Sequence, residues 1–261
     1  MWASRLIMLR GSSMTQRSFE IQWGGFGIGL SNWYTRVADI ILRGQSGYNS
    51  RWTLMTLPDI VGSYVPDMLV LFLGNNDSIL EGTGQYVPVA EFKSNMIQIM
   101  DHFRKVNPQI TFLLLTPTKA TRLGRDDDVT ALYTDVVYDL GKNSHNTAVV
   151  DLWHGEFAID SHHDLHDGLH LNALGNRKVL LAIQHTIRTH FPDFVPIPNE
   201  PKTLRDAPIA NRIDGDVTCS VTPDGQPRGL TYFFPEWSQL AGKNLEEART
   251  MINSVRIRSS L

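Results

Sequence analysis

A single cysteine, Cys219, stands among the 261 residues. No internal disulfide is possible, so the fold must rest on packing and hydrogen bonds, and the chain reads as one made for a reducing compartment, the cytoplasm. Long hydrophobic runs are missing as well. No apolar stretch approaches the roughly 20 residues that span a bilayer. Neither sign of charge is in surplus: 24 Lys and Arg face 27 Asp and Glu, for a net charge of −3. That balance gives no electrostatic case for nucleic acid or an anionic membrane as partner. The opening MWASRLIMLRGSS holds an apolar segment too short and interrupted for a signal peptide. There is no internal repeat and no low-complexity tract. What remains is the composition of an ordinary globular protein, 42% hydrophobic and 20% charged, with room for one large domain or a medium one with an appendage.

Up to about residue 190, short apolar runs alternate with amphipathic stretches. Residues 6–9, 40–42, 67–74, 109–116 and 147–152 read as strands. The runs at 67–74 and 109–116 are continuously apolar, as expected of strands buried on both faces. Between them lie helical spacings: Phe26, Leu30, Trp33 and Val37; then Phe92, Met96, Ile99 and Phe103 behind Pro88; then Val129, Leu132, Val136 and Leu140. A last helix opens at Asn172, a good N-cap, and carries Val179, Ile183 and Ile187. Alternation of this kind predicts an α/β fold, a three-layer α/β/α sandwich around a five-stranded parallel sheet. Ligands of such sheets bind beyond the carboxyl ends of the strands, so the residues that follow each strand carry the functional argument.

After the first strand comes GSSMT, residues 11–15. A serine on a tight strand-to-helix turn is held exposed, with backbone N–H groups beside it; more often such a serine only satisfies a turn. After the second strand, in RGQSGYNSRW, Gly47 allows a close backbone approach to a bound oxygen. After the third, in GNNDS, the amide of Asn76 is a donor for an oxyanion, or else ties down its own loop. Beyond the fifth lies SHHDLHDGLH, residues 161–170, with four histidines and two aspartates in ten positions. There Asp167 stands three before His170, the spacing that fixes an imidazole in the tautomer able to take a serine proton. Asp164 is a reserve for that acid, and His162 and His163 read as solvated loop residues. A nucleophile, two oxyanion donors and an Asp/His pair from four strand ends make the minimum kit for acyl transfer.

The four blocks resemble those of the GDSL-type esterases, or SGNH hydrolases, and within them the branch of isoamyl acetate-hydrolysing esterases. GSSMTQ, GGFGIGL, RGQSGYNSRW and DGLHLN…GN carry the resemblance, which spans roughly residues 5–190. It implies a flavodoxin-like five-stranded fold, Ser13 as nucleophile, His170 as base and Asp167 as its orienting acid. The implied oxyanion hole is the N–H groups of Ser13 and Gly47 with the side-chain amide of Asn76. No metal and no organic cofactor are implied; the substrate is a small carboxylic ester, an acetate foremost. Two positions depart from the pattern. Ser12 replaces an aspartate that helps fix the nucleophile loop, and Arg10 replaces an apolar residue, so that an arginine turned toward the pocket would hinder substrate or bind an anion.

These departures define a second reading, an esterase fold that is catalytically weak or only binds a ligand. A third reading puts a metal on His166 and His170, whose spacing suits one helical face. Gly168 lies between them just ahead of a helix start, which makes the run a loop, and no metal is expected. Tyr48, Arg51 and Trp52 are candidates for the pocket mouth or for bracing its loop. In the tail, four prolines from Pro192 to Pro201 mark an exit from the first domain. Domains are expected at 1–195, an esterase domain; 196–235, a linker or surface-packed, irregular extension; and 236–261. The last resembles a truncated opening of the potato inhibitor I family, through Trp237, Leu240, Gly242, Lys243, Glu246, Glu247 and Ala248. The exposed loop of that family has no counterpart here, and protease binding through the tail is not expected.

Overall fold

The computed structural model describes residues 5–122 and 124–196, together with Glu247. Five strands, β1 (Arg5–Gly11), β2 (Ala38–Gly44), β3 (Met68–Phe72), β4 (Thr111–Leu115) and β5 (Thr147–Val150), form one sheet in the order β2-β1-β3-β4-β5. All pairings are parallel. The helices are α1 (Ser13–Gln16), α2 (Phe26–Trp33), α3 (Ser50–Val61), α4 (Val89–Val106), α5 (Asp127–Asn143) and α6 (Ala173–His190). Strand side chains alternate between the two faces. Ile7, Leu9, Val70, Phe72, Leu113 and Leu115 pack under Phe26 and Leu30 of α2 and Val179, Ile183 and Ile187 of α6. Met8, Leu69, Leu71, Phe112 and Leu114 pack under Leu57 of α3, Phe92, Met96, Ile99 and Phe103 of α4, and Tyr133, Val137 and Leu140 of α5. Each fully buried large apolar side chain contributes roughly 1.5–3 kcal/mol, so the two cores fix the strand ends from both sides.

This is the three-layer α/β/α sandwich expected from the alternation. The strand order changes direction around β1, and the crevice at such a switch point is where ligands of these sheets bind. The extension at 196–235 and the segment at 236–261 lie, apart from Pro196 and Glu247, outside the described residues. Among the described residues no helix is long and apolar enough to cross a membrane.

The differences from the sequence reading are local. α2 stops at Trp33, four residues before Val37, because the chain turns through Arg36 in the left-handed region (φ 68°) to enter β2; Val37 is exposed. On α5 the buried stripe is Thr130, Tyr133, Thr134, Val137 and Leu140, with Val136 beside it, while Leu132 is 51% exposed. Polar Thr130 and Thr134 hid that stripe. They are buried because each hydroxyl bonds a carbonyl one turn back. α3 was not anticipated: it follows the Asn49 cap, whose side chain accepts from Trp52 N–H, and continues through Pro58. Such a cap is worth about 1 kcal/mol.

Candidate active site

Ser13 opens α1 directly after β1. As the first helical residue its N–H has no carbonyl one turn behind it to bond. Ser12, the N-cap, makes no side-chain capping hydrogen bond. Close packing and two neighbouring bonds hold the turn instead: Gln16 N–H donates to Ser12 O at 2.9 Å, and Gln16 Oε1 accepts Ser46 N–H from the β2 loop at 2.6 Å. A Cβ on Gly44 would stand 2.1 Å from Gln16 N, so that loop lies directly against α1.

His170 arrives from the other end of the domain, 157 residues away, and its Nε2 lies 2.9 Å from Ser13 Oγ. Its Nδ1 is 2.7 Å from Asp167 Oδ2. The segment that presents it is a tight hairpin-like loop, not a helix. Leu165 and Leu171 form an antiparallel bridge, His166 N–H donates to His170 O, and Gly168 turns the chain at φ 78°. Gly168 O accepts from Thr121 and Arg122 N–H, which pins the tip to the β4–α5 loop. Behind it, Asn172 caps α6 through Leu174 and Gly175 N–H and reaches back to His163 O.

Electrostatics assign the protons. Burial alone would raise the Asp167 carboxyl. Hydrogen bonds from His170 N–H, the His170 ring and Leu169 N–H outweigh it and hold the group well below the ordinary carboxylate range. His170 is lowered, mainly by burial, against the opposing pull of Asp167. The carboxylate is therefore ionised and the imidazole neutral at pH 7. Nδ1–H donates to Asp167, and Nε2 is left to accept the Ser13 proton.

On the other side of Ser13 stand the loops after β2 and β3. Gly47 is buried at φ 79°, a conformation suited to glycine. Its carbonyl accepts from Gln85, and among the described residues its N–H has no hydrogen-bond partner. Asn76 is buried, and its Nδ2 donates to Tyr48 O at 2.9 Å, which ties the β3 loop to the β2 loop beside Gly47. An amide nitrogen carries two protons, so one donor remains.

Several side chains shape this region without any signal in the sequence. Asp77 is fully buried; its carboxylate accepts Ser50 N–H at 2.8 Å and Gly74 N–H at 3.2 Å, and burial pushes it up to about 6. Arg125 donates to Asn75 O and, at 3.2 Å, to Asn76 Oδ1. Trp23 stacks on His166 at 4.6 Å, and Arg17 Nη1 lies 3.4 Å from His166 Nε2. Asp77 adjoins a residue the sequence singled out. Arg125 sits in an unremarkable charged loop, and Trp23 is an apolar residue with no periodicity.

The structure decides between alternatives that the sequence leaves open at three places. Arg10 does not reach toward the site. Its even position on β1 puts it with Met8 on the α3 face, where the fully buried guanidinium bonds Arg43 O, Gln45 Oε1, Thr53 O and Thr56 Oγ1. Burial pulls it to about 9, still cationic at neutral pH. Asp164 pairs with Lys178 at 2.6 Å and does not contact His170. Tyr48 and Trp52 pack with Met55 in a small core of their own, while Arg51 forms a bidentate pair with Glu91 on α4, so this group braces the loop. For the metal reading, His166, Asp167 and His170 bring ligand atoms within 4.8 Å of one another, although not from a helix. Both ring nitrogens of His170 already face Asp167 and Ser13, and a guanidinium faces His166.

A family model for GDSL-like lipases and acylhydrolases matches residues 10–178. The chain belongs to that family. An Arabidopsis thaliana GDSL esterase/lipase is 31% identical over 207 residues, 70% of this chain and 85% of the relative. The mouse isoamyl acetate-hydrolyzing esterase 1 homolog is 32% identical over 199 residues, 68% and 79% of the two chains. Among solved structures, a lipase/acylhydrolase from Enterococcus faecalis superposes with TM-score 0.59 at 23% identity, covering 71% of this chain and 96% of its own. A family 3 carbohydrate esterase from Clostridium thermocellum does so with TM-score 0.57 at 18% identity, covering 74% and 100%. The two structures speak for the fold; the family and the closer relatives make this GDSL protein a carboxylic ester hydrolase.

Proposed function

We propose that this GDSL esterase hydrolyses small carboxylic esters, acetates foremost, with Ser13 as nucleophile, His170 as general base and Asp167 as the group that orients His170. The observation that carries the reading is the Asp167–His170–Ser13 chain of hydrogen bonds, 2.7 and 2.9 Å, with His170 neutral. Ser13 Oγ attacks the ester carbonyl carbon as its proton passes to His170 Nε2. The new oxyanion is held by Ser13 N–H, Gly47 N–H and the second Nδ2 proton of Asn76. Collapse expels the alcohol, which takes the proton from His170. Water then attacks the acyl-enzyme, again deprotonated by His170, and the acid leaves as Ser13 regains its proton. Asp167 keeps its charge throughout and steadies the imidazolium.

Preference for acetates rests on the relatives named for isoamyl acetate, and a cytoplasmic setting on the cysteine count alone. Of the two departures behind the inactive reading, Arg10 is turned into the core and only Ser12 touches the nucleophile turn. Hydrolysis of p-nitrophenyl acetate by the purified protein, falling to the uncatalysed rate in Ser13→Ala, is the expected outcome. Undiminished turnover in that variant overturns the assignment.

A further inference from the structure

Arg125 is a cation placed where no step above uses it. Its guanidinium reaches from the β4–α5 loop to the GNND turn after β3, where it bonds the Asn75 carbonyl and Asn76 Oδ1. It is largely buried, and burial lowers it to about 10, which still leaves it charged. Arg122, Asp167 and Asp77 act on it only through space, and among the described residues its hydrogen-bond partners are those two oxygens.

The contact bears on a specific weakness of an amide donor. Rotation of an Asn side chain about its last torsion is broad and nearly two-fold, and a flipped Asn76 would aim an oxygen at the oxyanion. Two contacts select the same orientation. Tyr48 O is an acceptor and requires Nδ2. A guanidinium is donor-only and requires Oδ1. A positive group on Oδ1 also draws electron density from the amide, which makes the remaining N–H a stronger donor, and Asn76 is buried, where such polarisation counts for more than in water. The second arm on Asn75 O fixes the turn that carries Asn76, a use of the rigid guanidinium fork that an ammonium cannot copy.

We infer that Arg125 is a positioning residue of the oxyanion hole: it orients and polarises the Asn76 amide and does not touch the substrate. The inference rests on the proposed role of Asn76. A double-mutant cycle tests it, with kcat, KM and melting temperature measured on p-nitrophenyl acetate for the full chain, Arg125→Met, Asn76→Ala and the double variant. Asn76→Ala is expected to lower kcat about a hundredfold, and Arg125→Met about tenfold with KM changed less than about twofold. The double variant should match Asn76→Ala, because Arg125 then has nothing to position. Arg125→Lys is expected to recover part of the loss. Should Arg125→Met not fold, the cycle is run with Arg125→Lys, again expecting no added loss in the Asn76→Ala background. Wild-type kcat in Arg125→Met, or losses that multiply in the double variant, overturns the inference. Wild-type kcat in Asn76→Ala overturns the assignment of Asn76 beneath it, a result that reads separately.

Discussion

The two sides of Ser13 are built in opposite ways. The proposed acid–base side is carried mainly by one contiguous segment: Asp167 accepts from the backbone of Leu169 and His170 and faces the His170 ring, all within four residues, and among the described residues Arg122 alone adds a side-chain contact to Asp167 from outside, at 3.4 Å. The proposed oxyanion side is assembled from afar. Gly47 and Asn76 come from the loops after two different strands, Tyr48 O links them, Asp77 binds the β3 turn to α3, and Arg125 reaches in from a third loop. Two aspartates register the difference. Asp167, with several donors and a partly solvated position, sits well below the ordinary range; Asp77, fully enclosed, is pushed up to about 6. Hydrogen bonds to the ionised form outweigh burial in the first case and lose to it in the second. A short polar hairpin can thus supply a poised base cheaply, whereas donors for an oxyanion need a scaffold.

Breaking the contiguous side gives the larger effect. Asp167→Asn keeps the shape but offers His170 Nδ1 an amide that can favour the wrong tautomer, and kcat is expected to fall on the order of 10³–10⁴-fold, measured by steady-state ester hydrolysis. A loss below tenfold would mean that the hairpin orients His170 without its carboxylate. The smallest effect is a titration that sharpens the contrast. His170 is competent only when neutral, and its pKa is lowered, so kcat/KM should fall as pH drops through a value below the ordinary imidazole pKa of about 6.5. Asp167 is ionised across that window. Because Asp167 raises His170, Asp167→Asn should carry the residual acid limb lower still, as pH–rate profiles of the two proteins would report.

The same contrast explains what could be read from the chain. The parallel sheet, the α4 and α6 faces and the Asn172 cap were legible because apolar periodicity and a cap residue state them directly. Ser13, Gly47, Asn76, Asp167 and His170 stood out as residue types following strands whose chemistry suits acyl transfer, and the family resemblance sharpened the roles proposed for them. The hairpin pair announced itself in a spacing of three, Asp167 to His170. The supports did not. Arg125 and Asp77 meet the site only once the sheet is formed. Arg10 is an even-numbered position on a strand whose outer face became clear only when α3, hidden behind a loop-like GYNSRW, covered it. On α5, Thr130 and Thr134 read as polar although their hydroxyls are satisfied within the helix. Long-range hydrogen bonding leaves no periodic trace in a sequence.

Labelling with a fluorophosphonate, located by peptide mass spectrometry, tests the central claim most directly, since it requires a serine made nucleophilic by its neighbours. One adduct per chain on Ser13, formed at pH 7.5 and suppressed in His170→Ala, is the predicted result. No adduct, or an adduct on Ser12 instead, would contradict it.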